Sequence, residues 1–448
     1  MIAWPAGTLL FPTCTNSVSS GCITSAESIL ISQQSTAEVT STIEREMALP
    51  PHSRARFVAS LSPQSRASVA AYYNISMQSA YLKLHTFFTQ ILPFEAVFDT
   101  NLGREISLVE GAREFQSRWT AKHSAGGDVS SPAPLPVICA SCPGWVCYAE
   151  KTHHGILPYL SNTRSPQQIM GAMIKSKYSR EWGVESNRIW HLSVMPCFDK
   201  KLEASRDDFT DDTGVRDVDC VITTAELLKL IESYDISVPD LPESTTLSAI
   251  ETRMTSHAGS SSGGYIYYLM TVSAKSLFGL DVDIANSRGV QIKTVRSGDM
   301  VEYTLTENGS TKLRMAQCYG FRNIQNLVRK LEGKKGKVVK KKNNSPDGSD
   351  QWDYVEVMAC PSGCINGGGQ IPTANTGERT FTPREWIQAV EQVYQSQVVE
   401  WPSEERVQEI YREWFAEEGE TCRKRFVETE YHRVDFTLEN PLLLGSRW

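Results

Sequence analysis

The chain has 448 residues, 40% of them hydrophobic and 22% charged, and a formal net charge of −7. This is the composition of a soluble globular protein of two or three domain-sized units, long enough to bury a core without disulfide staples. The acidic balance offers no basic face for nucleic acid, and no uninterrupted apolar run is long enough to span a bilayer.

The first residues, Met1 to Pro12, are mildly apolar, but they lack a basic n-region and are interrupted by Pro5 and Pro12, so they do not read as a signal peptide. A cytoplasmic protein is expected. Eleven cysteines, an odd number in a large reduced chain, point to ligands or buried free thiols rather than disulfides. Residues 1–45 are Ser/Thr-rich and carry two of these, Cys14 and Cys22. A helical pattern covers 53–74, with Ser62-Pro63 reading as an N-cap and a proline just inside the helix. Phe94–Thr100 reads as a short strand ending in an acid, and 104–119 as an amphipathic helix. A Gly/Ser/Pro-rich linker at 124–134 precedes an apolar strand at 135–139.

Further strands are expected at 189–194, 218–222, 313–319 and 354–358, with helices at 224–232 and 321–331. Short buried strands alternating with amphipathic helices predict an α/β fold with mostly parallel sheets. Residues 382–430 are helix-rich. Two polar stretches, 238–263 and 333–351, read as surface insertions. The second holds the run Lys334–Lys342, which suits a solvated loop and also fits a nuclear-import or anion-binding patch.

Three segments carry the candidate chemistry: Ser141-Cys142-Pro-Gly-Trp145, Met195-Pro-Cys197-Phe-Asp-Lys200, and Cys360-Pro-Ser-Gly-Cys364-Ile-Asn-Gly-Gly-Gly-Gln370. Each follows a predicted strand, where α/β folds gather ligand-binding groups. A proline beside each first cysteine stiffens the turn that aims the thiol. Gly367-Gly368-Gly369 lets backbone pass close to a bulky group and leaves amides free to donate to sulfur. Four widely spaced cysteines suit an iron–sulfur cluster or a structural zinc, and buried core thiols are the alternative.

The surrounding residues resemble the Fe-only hydrogenase superfamily, whose loops read Cys-Pro-x-Trp, Met-Pro-Cys-x-x-Lys-x-x-Glu and Cys-Pro-x-Gly-Cys-x-x-Gly-Gly-Gly-Gln. All three are present in order, the second ending at Glu203, and the likeness runs over roughly 53–432. Arg164-Ser-Pro-Gln-Gln168 and Cys142-Pro-Gly-Trp-Val-Cys147 are most similar to the eukaryotic branch, which holds cytosolic iron–sulfur assembly factors and a nuclear prelamin A recognition relative.

The resemblance implies a two-lobed hydrogenase-like domain over 46–392, with a 4Fe–4S cluster on Cys142, Cys197, Cys360 and Cys364. It also implies a C-terminal helical segment and tail over 393–448. Residues 1–45 resemble a degenerate or truncated ferredoxin-like segment. There Cys22 matches the end of a second cluster motif, but Ser19 and Asn16 occupy two other ligand positions. The implied function is an adaptor or carrier between early assembly scaffolds and the late targeting complex, with Trp448 as a docking handle. The alternatives are a nuclear prelamin-tail-binding role and, less favoured, an active hydrogenase.

Against hydrogenase activity, Ser141 stands where hydrogenases place a proton-relaying cysteine. Lys200 reads as a structural ion-pair residue toward Glu203. Gly259–Gly264 resembles the family's glycine loop beside the cluster rather than a phosphate loop, and His153 and His154 read as polar packing residues. Cys147, five residues past Cys142, is the spare thiol expected nearest the cluster. Cys139, Cys220, Cys318 and Cys422 are expected in the core.

Overall fold

The computed structural model describes residues 25–123, 134–248, 251, 256–296, 298–333, 351–373, 375–376, 379–397, 399–417 and 419–434. Two helices come first, α1 (Ser25–Gln33) and α2 (Thr36–Met47). Strand β1 (Arg56–Leu61) runs directly into α3 (Pro63–Tyr73), where Ser62 accepts from the Ser65 amide and Pro63 sits in the first turn. The expected cap is therefore present, but the helical pattern drawn back to residue 53 is wrong. Phe57, Val58, Ala59 and Leu61 are all buried. A strand covered on both faces makes a continuous apolar run, which periodicity alone does not separate from a helix.

Next come α4 (Met77–Thr86), β2 (Phe94–Asp99) and α5 (Asn101–His123). The acid expected at the end of β2 is Asp99, which pairs with the buried Arg66 of α3. Then follow β3 (Val137–Ile138), α6 (Pro143–Thr152), α7 (Pro166–Trp182), β4 (Ile189–Met195), α8 (Asp199–Ala204), β5 (Cys220–Thr223) and α9 (Thr224–Glu232). The first sheet has the order β2-β1-β4-β5 and is parallel throughout.

The second sheet draws on β3 and on a later stretch: α10 (Tyr265–Phe278), β6 (Val290–Arg296), β7 (Met300–Glu307), β8 (Ser310–Tyr319), α11 (Phe321–Glu332) and β9 (Tyr354–Met358). Its order is β3-β9-β8-β7-β6. The pairs β3–β9 and β8–β9 are parallel, whereas β6–β7 and β7–β8 are antiparallel. The sequence reading anticipated neither β6 nor β7. Asn308 and Gly309, both at positive φ, close the β7–β8 hairpin in two residues.

The C-terminal part is helical as expected, with α12 (Pro383–Gln395), α13 (Glu404–Ile410) and α14 (Gly419–Phe426). Helix α12 packs on α3, while α13 and α14 pack on α5 and α7. The stretch 238–263 is not simply a surface insertion. Its described part buries Ser244, Ser256, His257, Ser261 and Ser262, and Gln64 of α3 donates to the Ser261 carbonyl. Cys14, Cys22, Trp448 and the run Lys334–Lys342 lie outside the described residues. No helix among the described residues is long and apolar enough to cross a membrane.

Candidate metal centre

Cys142, Cys197 and Cys360 stand just past the C-terminal ends of β3, β4 and β9. Because β3 pairs in parallel with β9, Val137 against Tyr354, the first and third loops leave the sheet side by side. The Ala359 amide donates to Cys142 Sγ at 3.3 Å. Cys142 also caps α6, its carbonyl accepting from Trp145 and Val146 at 3.1 Å. A helix N-terminus favours the thiolate form of such a cysteine.

The second loop belongs to the other sheet and is clamped to the third by glycines. The Gly369 amide donates to the Pro196 carbonyl at 2.9 Å. A Cβ at Gly367 would stand 2.9 Å from the Pro196 carbonyl carbon and closer still to its oxygen. The close approach expected of these glycines is thus to the backbone beside Cys197. The Gly368 amide meanwhile hydrogen-bonds to Cys360. Ser362 and Gly363, both at positive φ, turn the chain between Cys360 and Cys364. The Cys364 amide donates to Ser262 Oγ at 3.0 Å, so the glycine loop packs beside the site as the resemblance implied.

The four thiols therefore come together, and each remains partly exposed. Burial pushes all of them above the usual thiol range, Cys364 to about 12. Around Cys197 the carboxylate of Asp199 and the other three thiols add to the rise. Loading such a site requires the bound metal to displace thiol protons. Among the described residues, no three His, Cys, Asp or Glu side chains are arranged to hold a single metal ion. A tetrahedral zinc, with Zn–S bonds of about 2.3 Å, would need its sulfurs roughly 4 Å apart. Four cysteines, with backbone amides directed at Cys142 and Cys360, are the donor set that suits an iron–sulfur cluster.

Lys200 donates to the Ser141 carbonyl at 3.2 Å and pairs with Glu203 at 2.8 Å. Glu203 in turn accepts from Ser165 at 2.9 Å and Gln167 at 3.0 Å, so the lysine is held in the structural pair its spacing suggested. The charged groups that bear most on Cys147 are Arg206, Glu150, Asp199 and Lys151. Cys147 lines a cavity of about 20 Å³ together with Arg206, Phe209 and Tyr431. Helix α6 starts at Cys142, and five residues of winding carry Cys147 round to a different face. Cys139, Cys220, Cys318 and Cys422 are buried in the core, as expected. His153 hydrogen-bonds to Tyr148 and Glu332 as a polar packing residue.

Of two supporting residues, one ends the third motif and the other lies outside all three. Gln370 donates to the Gln64 carbonyl at 3.0 Å and accepts from Thr224 at 2.7 Å, tying the third loop to α3 and α9. Arg104 of α5 is buried and acts electrostatically on Cys364. Nothing in the spacing of α5 marks it out.

The model of the iron-only hydrogenase large subunit, C-terminal domain, matches residues 55–368. The chain belongs to that family. Among curated relatives, a cytosolic Fe-S cluster assembly factor NAR1 homolog of Schizosaccharomyces japonicus is 43% identical, covering 96% of this chain and 87% of that one. The cytosolic Fe-S cluster assembly factor narfl of Danio rerio is also 43% identical, over 96% and 98% of the two chains. Solved FeFe-hydrogenases share the fold. One, studied for oxygen inactivation of its H cluster, aligns with a TM-score of 0.69 at 23% identity over 89% of this chain and 99% of that chain. An apo HydA1 variant from Chlamydomonas reinhardtii aligns with a TM-score of 0.68 at 22% identity over the same shares.

Proposed function

We propose that this hydrogenase-family chain binds one 4Fe–4S cluster on Cys142, Cys197, Cys360 and Cys364 and works in the cytosolic assembly of iron–sulfur proteins. It acts there as an adaptor or carrier between early scaffolds and the late targeting complex, without catalytic turnover. The observation that carries the reading is the convergence of the four thiols from three loops, with backbone amides directed at Cys142 and Cys360. The names of the relatives support the cellular role and a cytoplasmic location. Against hydrogen chemistry, the group beside Cys142 is a serine hydroxyl, which titrates far above a thiol at about 8.5. Trp448 remains the proposed handle for the late targeting complex.

Anaerobic reconstitution with iron and sulfide tests the reading. About four irons per chain are expected in the wild type, unchanged in Cys22→Ala and lost in Cys364→Ala. A wild type without stoichiometric iron overturns cluster binding. Sustained hydrogen evolution from reduced viologen overturns the non-catalytic role.

A further inference from the structure

Eight lysines and arginines are buried among the described residues. Seven of them have a carboxylate within ion-pair distance, as in Lys151–Glu27 at 2.5 Å and Arg206–Glu150 at 2.7 Å. Arg104 is the eighth. It is 5% exposed, and its hydrogen bond, 2.8 Å long, goes to the Tyr394 hydroxyl, a neutral group. Tyr394 belongs to α12, which packs against the short turn Cys364–Asn366.

Two buried carboxylates, Asp99 and Glu356, feel the charge of Arg104 without pairing with it, and their direct bonds go to other groups. Asp99 pairs with Arg66 and accepts from the Asn101 amide. Glu356 accepts from the Tyr319 hydroxyl at 2.6 Å and the Ile266 amide at 3.0 Å. Beyond two tyrosines, the ionisable group that bears most on Arg104 is Cys364. A buried guanidinium persists only where some anion compensates it. Lys200, another cation that acts on these thiols, already has Glu203.

We propose that Arg104 is the counter-charge of the cluster, balancing the net negative charge of four thiolates around the iron–sulfur core and setting its reduction potential. This rests on the four-cysteine reading above. Reduction adds a further negative charge, so a fixed cation whose charge bears on Cys364 favours the reduced form, and net charge is one of the levers on cluster potentials.

The test is an EPR-monitored redox titration of the reconstituted full chain as wild type, Arg104→Met and Arg104→Lys, with iron counted in each. At a given potential, the reduced-to-oxidised ratio of Arg104→Met is expected to fall at least tenfold, equivalent to about 59 mV for a one-electron couple. Arg104→Lys, which keeps the charge and loses the shape, is expected to recover most of it. An unchanged midpoint in a loaded Arg104→Met, or equal shifts in both variants, overturns the inference. Should Arg104→Met hold no cluster, retention by Arg104→Lys at the wild-type midpoint supports the charge role, and loss from both overturns it. A wild type that takes up no iron is a failure of the four-cysteine reading itself, and is distinguishable from the rest.

Discussion

Substituting Gly367 by alanine tests whether the loops of the two sheets are held at a spacing the cluster needs. The new Cβ would sit 2.9 Å from the Pro196 carbonyl carbon, against the 3.4 Å at which ordinary contact begins, so the Pro196 peptide must retreat by at least 0.5 Å (3.4 − 2.9). Cys197 follows Pro196 directly and moves with it. Metal–ligand distances tolerate only about 0.2 Å. The fold can absorb the strain, since overpacking typically costs about 1–3 kcal/mol. Iron content after reconstitution should therefore fall below half of wild type, while the melting midpoint drops by a few degrees. Gly111 of α5 is the control, because a Cβ there meets nothing within 4 Å. Gly111→Ala should keep its iron and gain about 0.5–1 kcal/mol from helix propensity. A Gly367→Ala protein with full iron and an unshifted melt would refute the claim that this contact sets the position of Cys197.

The placement of Cys147 predicts that Cys147→Ala retains the wild-type iron count, and loss of iron would place that thiol at the cluster after all. A pH effect is expected from His191, which is fully buried, bonded to Ser60 at 2.9 Å and to the Asp217 carbonyl at 3.1 Å. Burial pushes its imidazole down to about 3 from 6.5, so below pH 6.5 the unfolded chain takes up a proton that the folded chain refuses. Stability from this group is thus present above 6.5 and is lost progressively toward 3. Between pH 7.5 and 5 the loss should be about 2 kcal/mol. Asp217, pushed up to about 6 by burial, works in the opposite direction over the same window. The comparison is therefore wild type minus His191→Asn, by chemical denaturation at both pH values, and parallel pH dependences in the two proteins would contradict it. Glu251, held down at about 2 against burial by bonds from His85, Val97 and Ser248, loses its contribution only below about 4.5, outside that window.

The parts legible in the sequence are those with a local cause. Ser62-Pro63 marks a helix start because the hydroxyl and the ring act within one turn, and the structure has both where expected. The three cysteine loops were legible for the same reason, each being a contiguous motif at a strand end. Strand β1 was not, since Phe57 through Leu61 are buried on both faces and leave no alternation to read. The β7–β8 hairpin did leave a signal, Asn308-Gly309, whose positive φ angles are the preference of that dipeptide in a two-residue loop. Strand β6 left less, because Gln291 to Thr294 lie at an exposed edge with no buried face to impose a pattern.

What no local reading could supply is the environment assembled around those loops. Arg104 looks like any charged residue on an amphipathic helix, yet it is buried and bonded to Tyr394 of α12, the helix that packs on the Cys364 turn. Gly367 reads as one glycine of three, and only the approach of the Pro196 peptide from the other sheet makes it irreplaceable. Cys147 shows the converse: it is close to Cys142 in sequence, and helical winding turns it to a cavity shared with Arg206, Phe209 and Tyr431. The candidate ligands are therefore legible in short motifs, whereas the charge and spacing around them come from contacts between segments far apart in the sequence. Solved hydrogenases at 22–23% identity share the fold that carries these loops. The residues most informative about the chemistry of this chain are those outside the motifs, beginning with Arg104.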